Sequence, residues 1–182
     1  MIQIPAWLHD VLGAAQRPGD LVLIAAFGLG ASSTLVALYP EVFQGVPAWR
    51  AALAILLILD IAAGCIANLT TGTNDHHAAH PGSRWVFIAI HVHLPIVALL
   101  LNLNMPATLA IWAFTIAGAV LVNLLRPGAT QRVVAGTAFG IGAFGTVIGL
   151  DGSPFTVCVG LLFMLKVLVH FAVDHRADGR GS

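Results

Sequence analysis

The chain has 182 residues, 58% of them apolar and only 9% charged, with a formal net charge of zero and a mean hydropathy of +0.92. A soluble globular domain is about one-quarter charged, so this composition excludes water as the main solvent and points to the bilayer. Zero net charge gives no footing for nucleic acid, and the two cysteines, Cys65 and Cys158, lie in separate apolar runs where a disulfide is not expected.

In chain order, Met1 to Gln16 offers no Lys or Arg ahead of Arg17 and lacks a cleavage pattern, so it reads as a retained segment rather than a signal peptide. Within it, Trp7, Leu8, Val11 and Leu12 follow Pro5 at spacings that share one helical face, which predicts a short interfacial helix.

Six runs then approach the roughly 20 residues needed to cross hydrocarbon as a helix. They are 21–39, 48–69, 84–104, 106–125, 131–150 and 154–173, separated by Pro- and Gly-bearing turns such as Arg126-Pro127-Gly128 and Asp151-Gly152-Ser153-Pro154. The expected architecture is a single all-α polytopic membrane domain. Lys and Arg in short loops are retained on the cytoplasmic side. A cytoplasmic N-terminus puts Arg17, Arg84, Arg126, Arg132, Arg176 and Arg180 inside and leaves only Arg50 outside, so both termini are expected in the cytoplasm and the expected location is a bacterial inner membrane.

The connection from Thr70 to Ser83 is long and polar and reads as the one loop with room for chemistry. On the fifth helix, Ala138, Gly142, Gly145 and Gly149 form a smooth stripe where another helix, of this chain or of a second copy, can approach. Ala26-Phe27-Gly28-Leu29-Gly30-Ala31 is echoed by Ala138-Phe139-Gly140-Ile141-Gly142-Ala143, a short trace compatible with a duplicated hairpin.

The chemistry-bearing residues fall toward one side. Asp60, Gly64 and Asn68 recur every four residues on the second helix, leaving a gap at the glycine, and Lys166, His170 and Asp174 repeat that spacing on the sixth. His91 lies roughly 10 Å inside the third helix. Ionisable groups at such depth are costly unless paired, hydrated or bound to an ion, which marks them as functional candidates. Asp60 and Lys166 lie at nearly the same level and also read as a plain buried ion pair. His93 points away from His91 on a regular helix, unless Pro95 distorts the turn.

In the loop, Asp75, His76, His77 and His80 lie within six residues, and in a helical turn either His76 and His80 or His77 and His80 could share one metal. The expected ligands are His76, His77, His80, His91 and His170, with Asp60, Asp75 and Asp174 as catalytic carboxylates and Asn68 and Lys166 as supporting polar groups. Zinc is the first choice of metal and iron the second. The run His76-His77-Ala78-Ala79-His80 resembles a single histidine box of the membrane desaturases and hydroxylases, in reversed order and without that family's further boxes. Nor does the spacing of His170 and His175 match the paired motif of the seven-helix zinc hydrolases, and no family is assigned.

Three functions remain open on these residues. The first is a metal-dependent membrane enzyme acting on a lipid-like or amphipathic substrate near the inner leaflet. The second is a metal-ion or proton transporter or channel built on Asp60, His91, Lys166 and His170. The third is a small scaffold or assembly subunit. The outer half of the bilayer, where Ser32, Ser33, Thr34, Thr146 and Thr156 are the main polar candidates, favours the one-sided enzyme.

Overall fold

A computed structural model of the chain describes residues 1–175 and Ala177. Arg176 and Arg180, used in the orientation argument, lie outside the described residues. Among the described residues, six helices are long and apolar enough to cross a membrane: Pro18–Leu38, Ala48–Ala67, Gly82–Leu101, Met105–Leu124, Ala129–Gly149 and Pro154–Phe171. The first begins three residues earlier than the hydropathy alone implies, because Pro18 fits the first helical turn, where its missing N–H costs nothing.

The N-terminal segment differs from the amphipathic helix expected of it. Strands β1 (Ile2–Gln3) and β2 (Ala15–Gln16) pair antiparallel, and between them a 3₁₀ turn at Ala6–Leu8 runs into the single turn α1 (His9–Leu12). Trp7 stays exposed at the tip. Closing this hairpin requires a left-handed residue after α1, supplied by Gly13 at φ 70°.

The first two spans, α2 (Pro18–Leu38) and α3 (Ala48–Ala67), pack closely where Gly28 faces Ala63; a Cβ on that glycine would stand 2.9 Å from the alanine methyl. The polar connection that follows is a helix rather than a loop. Thr70 caps α4 (Thr71–Ala79) by accepting the Thr73 amide at 3.5 Å, and the backbone of α4 meets the N-terminal hairpin at Gly72. There Gly13 would strike the Gly72 carbonyl, and Gly72 the Ala15 carbonyl, if either carried a side chain. Gln16, fully buried, donates to the Leu12 carbonyl (2.5 Å) and to the hydroxyls of Thr70 (2.7 Å) and Thr73 (3.1 Å), which fastens the hairpin to α4.

The third span is broken. Helix α5 (Pro81–Ile90) stops at His91, and α6 (His93–Leu101) restarts after Val92. Pro95 is the cause: it has no N–H to offer the carbonyl of His91 four residues back. Inside a membrane such a carbonyl must find another donor. Trp112 provides it, its indole N–H reaching the His91 carbonyl at 2.8 Å from α7 (Met105–Leu124). Asn102, left-handed at φ 54°, then ends α6, and the Asn104 side chain caps α7 by accepting the Ala107 amide at 3.1 Å.

The remaining spans are α8 (Ala129–Gly149) and α9 (Pro154–Met164), and α9 continues as a π-helical segment over Leu165–Phe171. This last span is the most enclosed, with Phe155, Val159, Phe163, Met164, Val167 and Leu168 wholly buried against α3 and α7. Glycines permit the close approaches, Gly160 against Ile111 and Gly118 against Leu168, each 2.9 Å from where a Cβ would stand. Of the stripe on α8, Gly142 packs within the chain, against Phe114 and Met164, while Gly145 and Gly149 face open space, as do Gly136 and Gly140 outside the stripe. The echoed segments therefore use different glycines, Gly28 in one and the non-equivalent Gly142 in the other.

Candidate functional site

The residues singled out in the sequence gather into two groups rather than around one centre. The deep group is built on α3, the break between α5 and α6, and the π segment. Lys166, 3% exposed, donates from Nζ to Asp60 Oδ2 at 2.6 Å and also reaches the Asp60 carbonyl at 3.3 Å. Its stem fills the gap between Asp60 and Asn68, because a Cβ on Gly64 would collide with Lys166 Cε. The notch on α3 is thus occupied by an ammonium group from the same chain. Asn68 completes the stripe by donating to the Lys166 carbonyl at 3.3 Å.

The helix break changes the standing of His93. Because the chain turns at His91 and Val92 instead of continuing helically, both imidazoles reach one side, with ring centres 4.9 Å apart. His93 Nδ1 lies 3.7 Å from Asp60 Oδ2. His91 is 2% exposed and donates from Nδ1 to the Phe87 carbonyl at 2.6 Å, a tautomer that leaves Nε2 as a buried acceptor with no hydrogen-bond partner among the described residues. Asp60 keeps 37% of its side-chain surface exposed, so the pair is not sealed on all sides.

The π segment lengthens each turn, so its carbonyls and side chains meet α3 out of ordinary register. Ala172 donates five residues back to Val167 at 3.1 Å, and His170 Nδ1 reaches the Cys65 carbonyl at 2.5 Å. His170 is therefore directed at α3 backbone, and its own carbonyl receives His175 Nε2 at 3.2 Å.

The second group lies on the face formed by the N-terminal hairpin and α4. His76 Nε2 is 3.2 Å from Asp10 Oδ1, and its ring is 4.6 Å from that of His80, whose Nδ1 donates to the His76 carbonyl at 2.8 Å. His77 turns inward. Its Nε2 donates to the Asp10 carbonyl at 3.0 Å and its Nδ1 lies 3.1 Å from Ser83 Oγ. Asp75 is half-buried on the same helix. A cavity of about 190 Å³ opens beside His77, lined also by Arg84, Trp85, Asn123, Gln131 and Asp174. The Asp174 amide donates to Gln131 Oε1 at 2.9 Å.

Between the groups stand two phenylalanines. Phe87 and Phe171 stack with centres 3.5 Å apart; His77 packs edge-on against Phe171 at 4.7 Å, and His91 lies against the other face of the pair, 3.7 Å from Phe87. Among the described residues, no three His, Cys, Asp or Glu side chains gather closely enough to hold one metal ion. The expected ligands His76, His77 and His80 belong to one group, His91 to the other, and His170 to neither.

Burial pushes the His77 imidazole down to about 4, aided by neighbouring His76 and Arg84 and opposed by its hydrogen bond to the Asp10 carbonyl. The folded face holds the neutral ring, so the unfolded segment binds more protons between pH 6.5 and 4. Stability from this residue is intact above pH 6.5 and falls as pH drops through that window, at most about 1.4 kcal/mol per unit. Cleavage of the hairpin by an acid-tolerant protease is expected to accelerate from pH 6.5 to 4.5. His77→Gln should flatten that dependence; an unchanged slope in the variant would assign it elsewhere.

The sequence reading passed over Asp10, Gln16, Trp112 and the two phenylalanines. Pro95 gave a usable signal for the break, and hence for Trp112 and His93; the others carry no local signature. No family model, no curated protein and no solved structure matches the chain.

Proposed function

We propose that the protein is a proton-coupled transporter of a small cation in a bacterial inner membrane, with the hairpin and α4 on the cytoplasmic face and Asp60 as the protonatable group. The observation that carries this reading is the Lys166–Asp60 pair at 2.6 Å, with His93 and His91 beside it, in the interior of three apolar spans. Protonation of Asp60, or arrival of a competing cation, releases Lys166, so the pair is a two-state element that an ion gradient can bias.

Two features at that level supply places to move. The α5–α6 break and the π segment are both interruptions of regular helix, and discontinuous helices near the bilayer midplane are where secondary transporters bind their ions. A zinc or iron enzyme at the inner leaflet would need three or so ligands gathered around one ion, and no such group forms among the described residues. Transport needs no such convergence.

The test is reconstitution into liposomes enclosing a pH-sensitive dye, with an imposed proton gradient and pulses of Na⁺, K⁺, Mg²⁺, Mn²⁺ or Zn²⁺. At least one pulse is expected to dissipate the gradient, and Asp60→Asn to slow that response at least tenfold in protein that still elutes as a folded species. No response to any cation, or an equal response from the Asp60→Asn protein, would overturn the proposal.

A further inference from the structure

We infer that Phe87 and Phe171 form a closed aromatic gate between the α4 face and the ion-pair site, an inference that rests on the transport reading for its purpose though not for its geometry. Each ring contacts an imidazole of a different group. His77 packs at 4.7 Å from Phe171 and 5.8 Å from Phe87, while His91 stacks on Phe87 at 3.7 Å with its ring tilted 29°. The two phenyl rings themselves are nearly parallel, 12° apart, at 3.5 Å. Lys166 Nζ lies 5.9 Å from the centre of the Phe87 ring, so the cation of the deep site abuts the inner side of the same pair.

An ion or a chain of water molecules passing from His77 to His91 by the direct route meets the two apolar rings of Phe171 and Phe87. Apolar constrictions close a path by excluding water rather than by filling it, so removal of one ring is expected to wet it. Phe171 is buried and ends the π segment, whereas Phe87 is half-buried on the regular helix α5. Return of the π turn to α spacing shifts the register by one residue and swings Phe171 about the axis by roughly 100°. Lys166 lies five residues earlier on that segment, so one backbone element carries both the gate ring and the ammonium of the ion pair.

The gate is tested by thiol labelling, which needs no transport. In protein with Cys65 and Cys158 changed to Ala, a cysteine is introduced by His80→Cys, exposed at the end of α4, or by His91→Cys, and treated with a cationic methanethiosulfonate. With both phenylalanines in place, the thiol at position 80 is expected to react at least tenfold faster than that at position 91; equal rates overturn the gate. Adding Phe87→Ala or Phe171→Ala should speed labelling at position 91 at least tenfold, while Phe87→Leu, which keeps apolar bulk, should not. Unchanged labelling in both folded alanine variants overturns the gate.

Flux assays on chains retaining His91 separate the two claims. Faster labelling with no cation-dependent flux from any protein keeps the gate and removes the transport reading. Unchanged labelling, with flux that Phe87→Ala does not alter, removes the gate and keeps the transport reading.

Discussion

Asp60→Asn is expected to destabilise the protein by about 3 kcal/mol or more, because it leaves the Lys166 ammonium buried without its counter-charge. Lys166→Met should cost less. The side chain it strands, Asp60, retains 37% exposure and can recover some solvation, and methionine fills the same channel over Gly64. The double substitution is the deciding measurement. With both charges gone there is nothing left to desolvate unpaired, so its stability should return to within about 1 kcal/mol of the Lys166→Met protein. Thermal unfolding of the four proteins in one detergent supplies the cycle. Costs that simply add would mean that the 2.6 Å contact contributes little.

Gly72→Ala is expected to detach the N-terminal hairpin while leaving the six spans helical. The new methyl would overlap the Ala15 carbonyl, which is backbone held in a strand pair and cannot move aside as a flexible side chain can. Overpacking of this sort costs about 1–3 kcal/mol, and the shift it forces also pulls on the Gln16 and Asp10 contacts that fasten the hairpin to α4. Gly13→Ala adds backbone strain to the same collision, since Gly13 has φ 70°. Chymotrypsin should then cut after Leu12, half-buried in α1, many times faster, with far-UV circular dichroism nearly unchanged. Gly30→Ala, where a methyl meets open space, is the control. Equal cutting of the Gly72→Ala and control proteins would show that the hairpin does not depend on this contact.

The spans were legible because a membrane helix announces itself by length and apolarity, which need no partner. The Asp60–Lys166 pair was legible for a related reason: counting residues along two helices fixes the depth of each charge, and unlike charges at one depth attract. Depth says nothing of direction around the axis. His77, His91 and His170 were therefore grouped by level, although Phe87 and Phe171 separate the first two and His170 turns toward the Cys65 carbonyl. Helix α4 escaped notice because Thr71-Gly72-Thr73-Asn74 has the composition of a turn, and its order comes from the distant Gln16 and Asp10. Two-residue strands such as β1 and β2 have no period to detect.

The indole bond at the interrupted span has a mechanical corollary. A helix that entrusts one of its own carbonyls to a neighbour cannot pivot by itself, since straightening at Val92 would pull Trp112 and its helix along or strand a polar atom in hydrocarbon. The two segments should therefore travel as one lever, with its fulcrum where proline removed the rung.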